Sequence, residues 1–365
     1  MRRVLLPVFI FLLIAFGPGI CRADTAMPAD TLTVEQAIDL ALNNRQDVLS
    51  AGLNVDAALI GDELTMDQVN LVIEGSRIPG TNQFASAGTA AYNQMYTSDY
   101  NIQAAQKNYD TKLESVKFSV YQKYYNVVTA LDSTDAQRLA SQQAEEKLAI
   151  SQLRYQLGMD TKLAVYQAQM QAVSARGNYG VAQQSLDQKY IALMEYIGWP
   201  NSHRPALVRE LTYHPVEVNN PESKFKDIVN DSPGVWLAKK SLDLRELTRV
   251  NSNDLEGELA DIQQEQAEIT VITTKDAMLQ ATRNIYYNVL SMQESYAAAK
   301  EGAQVADEAL RVAKLLYEAG MGTKLDVTAA EIAAHNAHQT LNSLSYQHAI
   351  LKMAFEKPWA YGSAN

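Results

Sequence analysis

Tyr155-Gln156-Leu157-Gly158-Met159-Asp160-Thr161-Lys162-Leu163-Ala164-Val165 returns 162 residues later as Tyr317-Glu318-Ala319-Gly320-Met321-Gly322-Thr323-Lys324-Leu325-Asp326-Val327. Upstream, Tyr124-Tyr125-Asn126-Val127-Val128 returns at the same offset as Tyr286-Tyr287-Asn288-Val289-Leu290. A repeat of this length means two copies of one supersecondary unit. Inside each block, Gly158 and Gly320 suit a left-handed helix C-cap. Thr161 and Thr323 follow as N-caps of a returning helix. In the second copy, Thr323-x-x-Asp326 has the spacing of a capping box. Each copy therefore reads as a tall antiparallel helical hairpin.

The flanks support long helices. No proline occurs between Tyr92 and Gly198, or between Val235 and Lys357, and both stretches are rich in good helix formers. Apolar residues recur at threes and fours: Val116, Val120, Tyr124, Val127 and Leu131 in one copy, Ala299, Ala303, Ala306, Leu310, Ala313 and Tyr317 in the other. Ile102 to Gln156 alone would span about 80 Å as a helix. Thr33, with Gln36 three residues on, opens a shorter helix in the first copy, and Lys224 to Val229 holds its counterpart. The fold class expected is all-α, with elongated helical hairpins in two tandem repeats and little or no β-structure.

The copies disagree at one place. Val48 aligns with Val235 at an offset of 187 rather than 162, so the first copy carries 25 extra residues. They fall within about 74–98, a Gly-, Ser- and Thr-rich stretch with Pro79 that reads as a loop, and Leu71-Val72-Ile73 beside it is the one strand-like run. The second copy has only Asn251-Ser252-Asn253-Asp254 there, a tight turn. The organisation expected is a signal peptide (1–23), a first repeat (24–198), an irregular proline-rich linker (199–221), a second repeat (222–357) and a tail (358–365).

Arg2 and Arg3, the apolar run Val4 to Ile14 and a small-x-small site ending at Ala23 read as an export signal. Cys21, the only cysteine, could carry a lipid, but Ile20 stands where that motif needs a small residue. Removing the signal takes away three arginines and moves the net charge from −11 to −14. Such a chain has no basic patch for nucleic acid. It contains no phosphate loop, nucleophile elbow or paired cysteines, so neither a cofactor nor catalysis is expected. Glu331, His335 and His338 share a helix face at a spacing that could suit a metal; solvated histidines on an Ala-rich helix are the commoner case.

The opening Leu32-Thr33-Val34-Glu35-Gln36-Ala37-Ile38-Asp39-Leu40-Ala41-Leu42-Asn43-Asn44, with the two Tyr…Gly…Leu blocks, resembles the TolC-like outer-membrane efflux protein family over nearly the whole mature chain. The resemblance implies a homotrimer whose hairpins form a hollow helical tunnel. A periplasmic adaptor of the membrane-fusion type and an inner-membrane pump would meet its tips, and strands inserted in each half would form a barrel in the outer membrane. It also implies that Tyr155, Gly158, Met159, Thr161, Lys162, Tyr317, Gly320, Met321, Thr323 and Lys324 lie at the hairpin tips and contact the adaptor. Asp326 matches the position whose carboxylates ring the pore constriction. The chain departs from that pattern at Ala329 and Ala164, where acidic residues are expected, and at Gly322 in place of an arginine. It also lacks a strand insertion in the second half, so the expectation is a tunnel without a full barrel, in the periplasm or associated with the outer membrane. The other reading is a non-conducting extracytoplasmic coiled-coil scaffold derived from the same fold.

Overall fold

The computed structural model of the protein describes residues 31–76, 86–209, 211–249 and 254–364. The expected signal peptide, Cys21, Pro79 and Asn251-Ser252-Asn253 lie outside the described residues. A two-residue strand β1 (Thr31–Leu32) leads into α1 (Val34–Asn44), α2 (Gln46–Ser76), α3 (Ser86–Gln156) and α4 (Lys162–Ile197). After strand β2 (Ala206–Leu207) come α5 (Pro221–Asp231), α6 (Pro233–Arg249), α7 (Asp254–Glu318), α8 (Lys324–Glu356) and α9 (Pro358–Ala364). The fold is all-α as expected. Among the described residues the only β-structure is the parallel pairing of Thr31 with Ala206 and Leu32 with Leu207.

The long helices form a row four positions wide. Tyr109, Lys112, Thr134 and Glu145 on one flank of α3 meet α2 and α4, which follow each other along that flank. Lys107, Tyr125, Asp132 and Glu146 on the other flank meet α6 and α8. Beyond α6 and α8 lies α7. The order across the row is therefore α2/α4, α3, α6/α8, α7. The 71 residues of α3 span about 105 Å, more than any single core can cover.

The core is a band around the middle of the row, where the short helices cross it. α1 begins at Thr33, whose hydroxyl accepts from Gln36 N while Thr33 N donates to the Gln36 side chain. It buries Ala37 and Ala41 completely, among Val116, Val120, Tyr124, Val127, Leu193, Met194 and Ile197. The valine stripe read in the sequence is thus the spine of this cluster. α5 does the same in the second half, where Phe225 and Ile228 pack with Phe118, Ile285, Tyr286, Val289 and Phe355. Each fully buried side chain of this size contributes about 1.5–3 kcal/mol. The expected tail is the helix α9, with Tyr361 edge-on to Phe118 at 5.1 Å.

The linker is more than an irregular strap. It supplies β2, and the buried Tyr124 hydroxyl is shared between Leu32 O at 2.8 Å and Val208 O at 3.0 Å. Arg209 then reaches Asp132 on α3 at 3.0 Å, while its carbonyl accepts from Tyr346 on α8 at 2.9 Å. Tyr213 stacks on Tyr296 of α7 at 3.7 Å. The strap ties the two hairpins together.

The expected loop over about 74–98 is corrected at both of its ends, while 77–85 between them lies outside the described residues. Residues 74–76 complete α2, residues 86–98 open α3, and Leu71-Val72-Ile73 is helical. A short β-branched pair cannot override a helix already nucleated for six turns behind it. Twenty of the 25 extra residues lengthen the helices instead: α2 has 31 residues against 17 in α6, and α3 has 71 against 65 in α7. The connecting stretches, 77–85 and 250–253, lie outside the described residues.

Asp47, at the start of α2, receives Arg45 at 2.8 Å and Lys112 at 3.0 Å. The Arg45 bond chiefly, with Lys112, holds its carboxyl well below the usual carboxylate range. The folded form is thus the stronger acid, so the stabilisation is complete above the unfolded pKa near 4 and fades as pH falls through and below it. Asp47→Asn is expected to cost about 1–2 kcal/mol at neutral pH and to flatten the acid limb of the stability curve. Denaturant melts across the pH range check both; an unchanged acid limb removes Asp47 from this role.

Candidate functional site: hairpin tips and lateral edges

The tips are built by the repeated blocks. At the end of α3, Gly158 N donates to Tyr155 O at 3.0 Å and Met159 N to Arg154 O at 2.8 Å. Gly320 N and Met321 N repeat the pattern on Tyr317 O and Leu316 O, at 3.0 and 2.9 Å. Both glycines are left-handed, with φ of 72° and 73°. This pair of bonds satisfies the last carbonyls of each long helix. The chain then re-enters a helix at once. Thr161 Oγ1 accepts from Ala164 N at 3.2 Å, and Thr323 Oγ1 from Asp326 N at 3.3 Å.

The ten predicted tip residues fall into these two turns, five in each, and they are solvent-facing. Met159 is 66 % exposed and Met321 79 %. Lys162 lies over the Tyr166 ring at 5.5 Å. Lys324 instead crosses to the first hairpin, pairing with Glu146 of α3 at 2.9 Å, and this partner raises its pKa. Asp326 is occupied locally. Its Oδ2 accepts from Thr323 N at 2.8 Å and from the Thr323 hydroxyl at 2.7 Å. Those bonds lower its pKa, so it stays ionised at neutral pH. The same geometry leaves it at the very end of the row, on the exposed first turn of α8.

Glu331, His335 and His338 take separate partners: Lys314 at 3.5 Å, Asp132 O at 3.3 Å and Asp307 at 2.9 Å respectively. Among the described residues, no group of three or more His, Cys, Asp or Glu is placed to hold a metal ion. Nor is any described helix long and apolar enough to cross a membrane.

The sequence reading missed the two outer edges of the row. On α4, Leu163, Tyr166, Met170 and Val173 follow at intervals of three, four and three, with Gly177 continuing the line. All are exposed, on the side turned away from α3. On α7, Tyr287, Val305, Val312 and Leu316 are exposed on the side turned away from α8. Both stripes continue into the half of the row beyond the core, as Leu49, Leu53, Ile60 and Leu64 on α2 and Leu259, Ile262 and Ile269 on α7. The signal was there as 3-4 spacing. What it lacked was any mark of which stripe is filled by the same chain. Of the α7 line singled out in the sequence, Ala299, Ala306, Leu310 and Ala313 are half-buried toward α8 and Ala303 is buried, whereas Tyr317 is exposed.

The family model for outer membrane efflux proteins matches residues 89–199, which is α3, its tip and α4. No curated protein matches the chain. Several solved structures share its fold. The CusC channel protein is 16% identical with a TM-score of 0.65, over 88% of this chain and 90% of that one. The CmeC outer membrane channel of Campylobacter jejuni is 16% identical with a TM-score of 0.62, over 91% and 86%. The outer membrane protein VceC of Vibrio cholerae is 14% identical with a TM-score of 0.62, over 88% and 94%. The resemblance to TolC-like outer-membrane efflux proteins therefore holds, in the family model over one hairpin and in the fold over the whole row.

Proposed function

We propose that the chain is the subunit of an efflux or export conduit, in which copies of the helical row close edge to edge into a hollow tube. The observation that carries this reading is the pair of apolar edges. An amphipathic helix with an exposed apolar line opposite its only long neighbour needs another partner. Here the two unfilled lines lie at opposite ends of one row, so contact between them is head-to-tail, the kind of contact that makes a ring when the rotation per copy closes. Three copies, as in the family, give a tube twelve helical positions around. Across such a seam the exposed α4 line that holds Met170 and Gly177 would face the exposed α7 line that holds Val305 and Val312. Nothing lies within 4 Å of a Cβ built on Gly177, so a neighbouring helix can approach closely there.

Such a tube ends at the hairpin tips, whose exposed methionines and lysines would meet a periplasmic adaptor and, through it, an inner-membrane pump. Methionine is common on surfaces that adapt to a partner. Energy for transport would come from that pump. Light scattering on the purified mature protein tests the assembly, and three chains per particle is the expected result. A stable monomer would instead favour the scaffold reading. Asp326 would then ring the narrow end with three carboxylates, which attract cations and repel one another. In reconstituted trimers Asp326→Ala is expected to change single-channel current by roughly twofold or more and to weaken cation selectivity. An unaltered current would leave Asp326 a helix cap only.

A further inference from the structure

His348 on α8 is 2 % exposed, and its Nε2 is buried without a hydrogen-bond partner. The strap roofs it. Tyr213 lies over the imidazole with 4.7 Å between ring centroids and a tilt of 47°. The same tyrosine is stacked on Tyr296 of α7 at 3.7 Å, and Val216 and Val218 continue the strap onto the core of the second half. Neither the tips nor the lateral edges use this buried ring.

Such a site suits only the neutral imidazole. In the neutral ring Nε2 can be a bare acceptor, whereas in the imidazolium both nitrogens are donors. A proton on His348 would therefore place a buried charge, and an unanswered N–H, beneath Tyr213. Groups on the neighbouring elements do not relieve it. Burial lowers the His348 pKa, and Lys352, one turn on along α8, repels a positive ring and lowers it further. Burial raises the pKa of the Tyr213 hydroxyl, so the roof stays uncharged, and Glu294 on α7 acts on Tyr213 rather than on His348. On α3, Asp132 is already engaged by Arg209 of the strap at 3.0 Å.

We infer that the strap is an acid-sensitive clasp: it lies closed over the neutral His348 imidazole, and uptake of a proton there lifts its Tyr213 side away from α7 and α8. The released ring would reach water, which solvates the imidazolium. The closed form is the weaker base, so closure is complete above the ordinary histidine pKa near 6.5 and fades as pH falls through and below it. A one-unit difference in proton affinity changes the ratio of closed to open strap tenfold. Arg209 keeps its hold on Asp132 and Tyr346 upstream, so the stretch that opens is 211–218. Since the strap ties the hairpins together, its release loosens the second against the first. The clasp belongs to the single chain and works whether or not copies assemble.

Hydrogen exchange of the purified protein, read by mass spectrometry and corrected for the intrinsic effect of pH on exchange, tests this. Peptides covering 211–218 are expected to lose about tenfold in protection between about pH 7.5 and about pH 5, while those of α1 change less than about twofold. His348→Phe keeps an uncharged ring under Tyr213 and should remove the response. Lys352→Gln keeps the imidazole but takes away the repelling charge, so it should move the midpoint to higher pH. His214, exposed beside Tyr213, is the control, and His214→Gln should respond as the parent protein does. Strap peptides whose protection is unchanged or rises in acid overturn the inference. So does a response that survives in folded His348→Phe, which would assign it to another group such as Asp132. Should His348→Phe not fold, a midpoint that Lys352→Gln leaves unmoved overturns it as well.

Discussion

Placing aspartate at both Met170 and Val312 is expected to leave a folded monomer. Met170 is 74 % exposed and Val312 42 %, so neither change touches the core of the single chain. Circular dichroism and the unfolding midpoint should therefore stay close to those of the parent protein, as for most surface substitutions. In the assembled ring both positions lie within the apolar seam. Burying an unpaired carboxylate costs several kcal/mol, and here two would be buried in every seam. Even about 4 kcal/mol per seam corresponds to roughly a thousandfold weaker association. Sedimentation at micromolar protein should show single chains. A double variant that still assembles would mean that these edges are not the contact.

Gly198→Ala carries the largest expected loss of stability, about 3 kcal/mol. Gly198 ends α4 with φ of 80°, a conformation that costs a side-chain-bearing residue about 1–2 kcal/mol. A Cβ there would sit 2.8 Å from Asn44 Cβ, a backbone-anchored atom that cannot swing aside. Moving Asn44 also breaks the bond from its Nδ2 to Ile197 O at 2.9 Å, worth about 1 kcal/mol. That bond joins the end of α1 to the end of α4, within the band where the core of the first half sits. Chemical denaturation should show the loss in the midpoint without a change of slope. A loss below about 0.5 kcal/mol would show that α1 and α4 can shift apart freely.

How far the sequence carried the fold differs from element to element. Val116, Val120, Tyr124 and Val127 were legible because one stripe on one helix meets a partner in the same chain, and all four are buried. The turns at Gly158 and Gly320 were legible because a left-handed cap and a threonine N-cap are local chemistry. The stretch 86–98 misled because Gly88, Ser86 and Thr89 are weak helix formers, yet α3 runs through them beside α2. Propensity there yields to packing and to the length of helix already formed. The strap was read as irregular because its order comes from distant partners, Tyr124, Asp132 and Tyr346, that no local pattern announces. The candidate site divides the same way. Tip residues follow from their turns, whereas the edge stripes could be sorted from core stripes only once the row of helices showed which faces were left open.

End-on electron microscopy of the purified assembly tests the central claim most directly. The account predicts a ring of twelve helical densities, three copies of four positions, around an open centre. A solid bundle, or particles containing one row of helices each, would contradict it.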